Sequence, residues 1–535
     1  MKIRQSWIVF FSLFLALSCS CTKPVIKPKK KPILRMNVIR EPSTLDPRKG
    51  SEFIGSTLHF FLFEGLTRLN ADYSVTPAQA KSIEISDDRR TYTFHLRNTF
   101  WSDGTAVTAT DFEKAWKKIL TPDFPAANAP LLYPIKNAQE AKKGVISLDK
   151  VGIHSIDDKT LVVELKDPTP YFLELISFCV FFPIKHTLDV ADPNWMNEAG
   201  KNYISNGPFK LASWKHNDEI VVEKNPYYWE KQFISLEKIQ ISMVKDENTV
   251  LQMFENDELD ILGTAISPIP NDVVLKYQQQ RLLKTYPSAA TTAISFNVAQ
   301  FPFTSKHLRK AFAYTIDRQE IVDNITQLGE EVATQIIPSC LKKSPALAYF
   351  KDNDLRKGKK HFLRALHELG ISQEEFPTIT YYYSYSDLNH KLAQILQQQW
   401  AKNLGVKVEL QHCEHKVFLD KLGSRNFELA QTFWFAQYPD PMSILERYKY
   451  RTNPKNFSNW ENAHYIRLLE KTAFDATEEE RAKTLETAEA LLMKQMPLTP
   501  LYHWKTAFMI KDHLTFEEFP PDHGFLEWTR IGLKK

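Results

Sequence analysis

Residues 427–445, FELAQTFWFAQYPDPMSIL, carry the pattern that decides the fold of this chain. The apolar run up to Phe435 predicts a buried strand, and the prolines that follow predict a turn at residues 438–441. Since side chains alternate along a strand, Trp434 is expected to point away from Phe433 and Phe435. One face of the strand then enters a core and the other can line a cleft, although an ordinary core strand is the simpler interpretation of these residues alone.

Length and composition indicate a globular protein of several domains. A chain of 535 residues is too long for one hydrophobic core, so two or three domains are expected. The formal net charge is only +4 and much of it lies near the N-terminus, which gives no electrostatic case for a nucleic-acid partner. The 16 glycines and 30 prolines argue against glycine-rich nucleotide loops and favour many strands bounded by turns.

The first residues have the pattern of a bacterial export signal. A short basic region precedes an apolar run at residues 7–17, which is too short for a permanent membrane anchor. The small and apolar residues before Cys19 resemble a lipoprotein cleavage site, with Ala16 where leucine is usual and Cys21 as a second candidate. We therefore predict a signal peptide at residues 1–18 and lipidation of Cys19, with simple secretion as the alternative.

The C-terminal half of the chain alternates strands with helices. Residues 378–385 are typical of an aromatic strand, and residues 406–410 of a second strand. Between them a helix is predicted, with Asp387 as its N-terminal cap and Gly405 just past its end. Strand–helix–strand spacing of this kind implies parallel pairing within an α/β fold.

The sequence lacks the usual signatures of catalysis. It contains no nucleotide-binding P-loop, no HExxH, no GxSxG and no paired CxxC. Residues 412–415, His-Cys-Glu-His, form one metal-like cluster, but a strand divides the four side chains between its two faces. Since four ligands from one strand cannot close a tetrahedral site, we predict a polar strand end there, with no metal and no cofactor. The chain is accordingly predicted not to be an enzyme; a peptidase or cell-wall hydrolase is the enzymatic alternative.

Several short stretches occur in an order typical of one protein family. Taken together they resemble the bacterial peptide-binding proteins of ABC importers, the oligopeptide- and dipeptide-binding family (extracellular family 5), from about residue 33 to the C-terminus. The matching stretches are STLDP (43–47), LFEGL (62–66), YTFHLR (92–97), WSDG with VTA (101–104, 107–109), SNGPFKL with NPYYW (205–211, 225–229), FN (296–297), PF (302–303) and RKAFAYTIDR (309–318).

The resemblance implies an α/β fold of the periplasmic-binding-protein type. Two lobes close over a ligand as a hinged trap, and the fold has an extra third domain. The implied division is a lipid-anchored basic tether at 19–32, lobe I at 33–68, 205–297 and 500–535, the extra domain II at 69–204, and lobe III at 298–499.

The resemblance also implies a function. Family members grip an extended peptide by its backbone, as an added strand, and leave its side chains in hydrated pockets. This protein would then be a periplasmic, lipid-anchored monomer that captures peptides or peptide-like ligands, including cell-wall peptides, and delivers them to an ABC permease with a separate ATPase. The alternatives are a non-peptide solute such as nickel, haem or a sugar, and a surface lipoprotein with a role in adhesion.

Ligand contacts carried over from the family come from both lobes. The first lobe would contribute the segment around Glu52, and the second the strand that ends at Phe435. The predicted ligand-binding residues are Ser51, Glu52, Phe53, Arg425, Phe433, Trp434, Phe435 and Gln437.

The sequence departs from the family at the end of that strand. Oligopeptide binders have an aspartate where this chain has Gln437, and that aspartate neutralises the free amino terminus of the peptide. Two arginines of the family are also replaced, by Gln431 and Leu422, although Arg425 lies close by. The ligand is therefore expected to have a blocked or different end, or Glu52 replaces the aspartate from across the cleft, or the protein binds weakly and has another role.

Overall fold

The computed structural model describes residues 32–50, 52–70, 72–199, 202–264, 266–342, 347–515 and 531–534. The predicted signal peptide, Cys19 and Ser51 lie outside the described residues. Within the described part of the chain no helix is long and apolar enough to cross a membrane.

Most strands are short, but two of them run for thirteen residues each and belong to the same sheet. In chain order the strands are β1 (Ile33–Asn37), β2 (Thr67–Leu69), β3 (Val75–Pro77), β4 (Ala80–Ile85), β5 (Thr91–Leu96), β6 (Ile153–Asp157), β7 (Thr160–Glu164), β8 (Phe209–Lys215), β9 (Glu219–Lys224), β10 (Lys238–Ser242), β11 (Ile261–Gly263), β12 (Lys284–Phe296), β13 (Glu331–Val332), β14 (Ile379–Ser384), β15 (Val408–Cys413), β16 (Leu429–Phe435), β17 (Leu498–Ile510), β18 (Leu514–Thr515) and β19 (Gly532–Leu533).

The longest helices lie in the second half of the chain, between its strands, as the alternating pattern predicts. In chain order the α-helices are α1 (Phe53–Leu62), α2 (Ala109–Ile119), α3 (Ala138–Lys142), α4 (Phe172–Leu175), α5 (His186–Ala191), α6 (Glu247–Glu255), α7 (Val274–Gln279), α8 (Lys306–Tyr314), α9 (Arg318–Ile321), α10 (Leu355–Leu369), α11 (Asp387–Leu404), α12 (His415–Gly423), α13 (Met442–Leu445), α14 (Ala463–Lys471) and α15 (Glu478–Gln495).

The first half of the chain builds two four-stranded sheets. One has the order β1-β10-β9-β8, in which β1 is parallel to β10 and the other pairs are antiparallel. The other has the order β4-β5-β7-β6 and is wholly antiparallel. Helix α2 packs on this second sheet after a capping box in which the Asp111 carboxylate accepts from the Thr108 backbone N–H at 2.9 Å.

The second half of the chain builds a seven-stranded mixed sheet. Its order is β11-β17-β12-β16-β14-β15, with β13 paired to β17. Strand β14 is parallel to both β15 and β16, which confirms the parallel pairing that the strand–helix–strand spacing predicts. The long strands β12 and β17 are antiparallel, and β16 pairs with β12.

Two predicted helix boundaries differ from the structure. Ser386, and not Asp387, caps α11, because its hydroxyl accepts from the Asn389 backbone N–H at 3.2 Å. The apolar periodicity of residues 307–318 predicts a single amphipathic helix, but the helix ends at Tyr314, where Thr315 leaves the helical conformation. Gly405 ends α11 with φ +69°, as predicted for a glycine past a helix end.

Candidate functional site

Strand β16 has one covered edge and one open edge. Strand β12 covers it along the whole length, from Phe435 paired with Ala290 to Leu429 paired with Phe296. On the other side β14 pairs only with Leu429 and Ala430. From Gln431 to Phe435 no described strand covers that edge, which we call the open edge of β16.

The backbone groups on the open edge belong to alternate residues. The Ala436 N–H donates to the Ala289 carbonyl of β12. Residues two apart face the same neighbour, so Phe433 and Phe435 direct their N–H and C=O groups to the open edge. The Phe435 carbonyl already accepts from Arg447 Nη2 at 2.5 Å. The N–H and C=O of Phe433 and the N–H of Phe435 are therefore the groups that an added strand would meet.

The aromatic side chains at the end of β16 divide between two faces, as predicted. Trp434 is 5% exposed and stacks on Phe457 at a centroid distance of 5.1 Å. Phe433 lies on the other face and is 44% exposed. The structure thus places the Trp434 side chain on the face of the strand opposite to Phe433, packed against Phe457.

Phe433 and Phe435 form an aromatic wall with residues from two other segments. The ring of Phe53, the first residue of α1, lies 4.0 Å from that of Phe435 between centroids. Trp504 on β17 lies 5.6 Å from Phe433 and 4.8 Å from Phe435. Sequence reasoning missed Trp504; its only signal was the alternation of Tyr502 and Trp504 along a strand.

The Glu52 carboxylate is bonded to residues that lie close to it in the chain. It precedes α1, but its carboxylate makes no cap bond; it accepts from the Ser43 N–H at 2.5 Å and from Arg40 Nη2 at 3.4 Å. The pKa of His415, on the facing end of α12, is lowered by burial and by the Arg40 charge and raised in part by Glu52. Glu52 therefore neighbours Arg40 and the His415 end of the sheet.

Arg425 supports a loop. Its guanidinium donates to the carbonyls of Asn456 at 3.1 Å, Arg451 at 2.5 Å and Asn453 at 3.2 Å. These bonds hold the chain that carries Lys455. Gln431 is likewise satisfied, since its amide meets Asn389 Oδ1 at 2.7 Å and the Tyr381 hydroxyl at 3.3 Å.

Gln437 lies where three parts of the chain meet. Its Nε2 donates to Asn128 Oδ1 at 3.0 Å, and Asn128 Nδ2 donates to the Gly50 carbonyl at 2.9 Å. The Lys455 ammonium donates to Asn128 Oδ1 at 2.9 Å and to Gln437 Oε1 at 3.4 Å. We call Asn128, Gln437 and Lys455 the polar cluster. Neither Asn128 nor Lys455 was predicted from the sequence, and neither has a local pattern that marks it.

The charges around the polar cluster are unusual. Burial, together with the neighbouring Arg447 charge, lowers the pKa of Lys455 to about 7, while the Glu446 charge opposes the shift. Burial raises the pKa of Glu446 to about 7 against the opposing charges of Arg447 and Lys449. Burying a charge disfavours it, so at pH 7 both groups are divided between their charged and neutral forms.

The turn after β16 makes close contacts with Tyr171 and Arg481. The Tyr438 ring stacks on Tyr171 with centroids 5.0 Å apart and planes at 7°. Asp440 receives two bonds from Arg481 at 2.7 and 2.8 Å, and the Arg481 guanidinium lies 5.5 Å from the Tyr171 ring centroid. In this structure these contacts bring the turn that follows Gln437 against the segment around Tyr171.

The metal-like cluster at residues 412–415 has an ordinary structural explanation. Glu414 caps α12 by accepting from the Lys416 and Val417 N–H groups at 2.8 and 3.3 Å. His415 Nδ1 lies 3.2 Å from the Ser384 hydroxyl. Across the described residues no group of three or more His, Cys, Asp or Glu side chains is arranged to hold a metal ion.

The fold, the open strand edge and the facing Phe53 define a two-lobed α/β binding protein of the periplasmic-binding-protein type. The structure of the Escherichia coli murein tripeptide binding protein MppA superposes with a TM-score of 0.85 at 27% identity, and the match covers 95% of this chain and 99% of that chain. Peptide-bound OppA of Listeria monocytogenes superposes with a TM-score of 0.81 at 26% identity, over 95% and 100% of the two chains.

Sequence comparison gives the family. The family described as bacterial extracellular solute-binding proteins, family 5 (middle region), matches residues 74–456. The chain belongs to this family. It is 36% identical over 490 residues to the oligopeptide-binding protein OppA of Bacillus subtilis, covering 91% of this chain and 90% of the relative. It is 34% identical over 520 residues to the dipeptide-binding protein DppE of the same organism, covering 94% of each.

Proposed function

We propose that this protein captures peptides or peptide-like ligands between its two lobes for an ABC importer. The observation that carries the proposal is the open edge of β16. It offers the backbone groups of Phe433 and the N–H of Phe435 to an extended chain, beside an aromatic wall that both lobes build. A peptide backbone is the ligand that satisfies a strand edge, because it supplies a donor and an acceptor at each alternate residue.

The relatives support the same class of ligand. The names of the two Bacillus subtilis relatives state oligopeptide and dipeptide binding, and that of the Escherichia coli structure states murein tripeptide binding. Cell-wall peptides are therefore included among the ligands that we propose. The protein has a binding role without catalysis.

Delivery and anchoring complete the proposal. The ligand would pass to a membrane permease driven by a separate ATPase, and the protein would work as a monomer held at the membrane by a lipid on Cys19. Labelling of cells with radioactive palmitate tests the anchor. Label that survives Cys21→Ala and is lost in Cys19→Ala supports lipidation of Cys19. Label that is lost only in Cys21→Ala would place the lipid on Cys21 instead. No label in the unchanged protein would mean that the protein is secreted without a lipid anchor.

The test of ligand class starts with protein that carries no ligand from the host cell. The mature chain is unfolded, dialysed, refolded and titrated calorimetrically with mixed-sequence tetrapeptides in free-amine and N-acetylated forms. Dissociation constants in the micromolar range or below support the proposal. Mass spectrometry of ligand released by unfolding the protein as purified is the second measurement.

A non-peptide solute is the second candidate, since Gln437 removes the carboxylate on which peptide binders of this family rely. Absence of binding to every tetrapeptide, together with release of a sugar, haem or metal on unfolding, would replace the peptide proposal. Absence of both, with the protein exposed on the cell surface, would favour the adhesion role.

A further inference from the structure

The polar cluster puts a cation where the family resemblance leads one to expect an anion. We propose that this end of the cleft takes a peptide whose amino terminus is acylated, with an oxygen of the acyl group accepting hydrogen bonds from Lys455 and the Gln437 amide. The inference rests on the proposed peptide-binding function and concerns the chemistry of one end of the ligand. It assigns the specificity-determining roles to Asn128, Gln437 and Lys455.

The orientation of the two amides follows from the lysine. A lysine ammonium only donates, so the groups that face it must be acceptors. Asn128 Oδ1 and Gln437 Oε1 are those acceptors, at 2.9 and 3.4 Å. Asn128 Nδ2 is thereby turned to the Gly50 carbonyl, at 2.9 Å. The polar cluster is therefore set up around a donor and presents no carboxylate.

Lys455 retains capacity to donate. Its ammonium has three N–H groups, and the described residues supply only Asn128 Oδ1 and the long contact to Gln437 Oε1 as partners. At 3.4 Å the second contact is at the outer limit for a hydrogen bond, so an incoming oxygen can replace it. An acyl carbonyl or a carboxylate supplies such an oxygen, and an ammonium does not.

The surrounding charges disfavour an ammonium. Neither Lys455 nor Arg447 has a carboxylate oxygen within 4.0 Å among the described residues; Arg447 instead donates to the Ser443 carbonyl at 3.0 Å and the Phe435 carbonyl at 2.5 Å. Glu446 is the neighbouring acid, and burial raises its pKa to about 7. A peptide ammonium placed here would meet a like charge with no full counter-charge, whereas acylation removes the peptide's charge.

The first experiment uses one tetrapeptide sequence in three forms on refolded, ligand-free protein: free amine, N-acetyl and N-succinyl. Both capped forms are expected to bind at least about tenfold more tightly than the free amine. The succinyl form adds a carboxylate, so its affinity relative to the acetyl form tells an anionic cap from a neutral one. Equal or tighter binding of the free amine overturns the inference while leaving the peptide-binding function in place. No binding by any form overturns both.

Exchange of the charges gives the second experiment. Gln437→Asp alone would place a carboxylate against Lys455, so it is combined with Lys455→Gln, and the double variant is expected to prefer the free-amine form. Lys455→Gln alone is expected to reduce the preference for capped peptides at least about fivefold. Lys359→Gln, an exposed lysine on α10, is the matched control and should keep the preference of the unchanged protein.

The ratio of affinities for the capped and free peptides is measured on one and the same preparation, so a partly unfolded variant does not bias it. A double variant that still prefers capped peptides overturns the assignment of Lys455 and Gln437.

Discussion

At the scale of single residues, Asn128 joins three segments that are far apart in the chain, around Gly50, Gln437 and Lys455. It is 2% exposed, and its amide meets the Gly50 carbonyl, Gln437 Nε2 and Lys455 Nζ at once. A buried amide with every group satisfied fixes geometry, because each partner left without it bears the cost of desolvation. Asn128 thus sets the positions of Gln437 and Lys455 in the polar cluster.

Asn128→Ala is therefore expected to weaken peptide binding about tenfold and to lower the free energy of unfolding by roughly 1–3 kcal/mol, since it removes a hydrogen-bond partner from the Gly50 carbonyl, Gln437 Nε2 and Lys455 Nζ. Calorimetric titration and urea unfolding measure the two effects. Asn202→Ala, which removes an exposed amide of the same domain, is the control and should change neither. Unchanged affinity in a folded Asn128→Ala variant would contradict the role given to Asn128.

Lys455 also predicts a pH dependence. Its pKa of about 7 in the folded protein lies below the value of about 10.4 for an unfolded chain. Between these values the unfolded state holds a proton that the folded state has released, so stability should rise with pH. Glu446, whose pKa is also about 7, acts in the opposite sense but only below that pH.

Urea unfolding at intervals from about pH 7.5 to 10 compares the unchanged protein with Lys455→Gln. The variant should lack part of the rise in stability that the unchanged protein shows. Identical slopes would mean that Lys455 is charged and well solvated in the folded state.

At the scale of elements, the open edge of β16 exists because β14 and β16 separate after two residue pairs. Tyr381 and Tyr382 pair with Leu429 and Ala430, and then the strands separate. An uncovered strand edge invites pairing with another chain, and proteins usually cover or shorten such an edge. Here the edge is retained but lies under Phe53 of the facing lobe, so that access to it depends on how the lobes stand.

Phe433→Pro and Phe433→Ala separate the backbone from the side chain of Phe433. Both remove the ring, but only proline removes the N–H that points to the open edge, and the ladder with β12 does not use that N–H. We expect Phe433→Ala to bind a few-fold more weakly and Phe433→Pro to lose a further factor of about ten. The loss should come with little change in the melting temperature.

Thr432→Pro is the contrasting variant, since the Thr432 N–H faces β12 and its loss should destabilise the fold. If Phe433→Pro and Phe433→Ala bind peptide alike, strand addition at this edge is excluded.

At the scale of the whole molecule, the two buried histidines His59 and His503 make the fold sensitive to acid. Burial lowers the pKa of His59 to about 4 and that of His503 to about 3. Below the ordinary value of about 6.5 the unfolded chain takes up protons that the folded chain refuses, so stability falls as pH falls towards 4. Because His59 lies in α1 and His503 in β17, acid acts on a helix and on a strand of the long sheet.

Each histidine is expected to remove on the order of 2 kcal/mol of stability at about pH 5 relative to pH 7. His503→Gln should therefore show a smaller difference in urea midpoint between these two pH values than the unchanged protein. An equal difference would show that His503 gains a proton in the folded state.

The elements were the most predictable part of this molecule. The capping box before α2, the glycine after α11 and the alternation of Phe433, Trp434 and Phe435 are local patterns, set by backbone geometry within a few residues. Asp387 was mistaken for the cap of α11 because Ser386 and Asp387 are both good caps, and only the backbone conformation of Ser386 decides between them.

By itself the sequence determined the family, the order of strands and helices, and the absence of a carboxylate at Gln437, because these depend on residue identity and short-range periodicity. Only the tertiary structure decided that Asn128, 309 positions away from Gln437, reaches its amide and that Lys455 lies beside both. It also decided that Glu52 is hydrogen-bonded to the Ser43 N–H and that Arg425 is hydrogen-bonded to the loop carbonyls. The contacts of Asn128 join segments far apart in the chain through single hydrogen bonds, and a single long-range hydrogen bond leaves no pattern in the sequence around either partner.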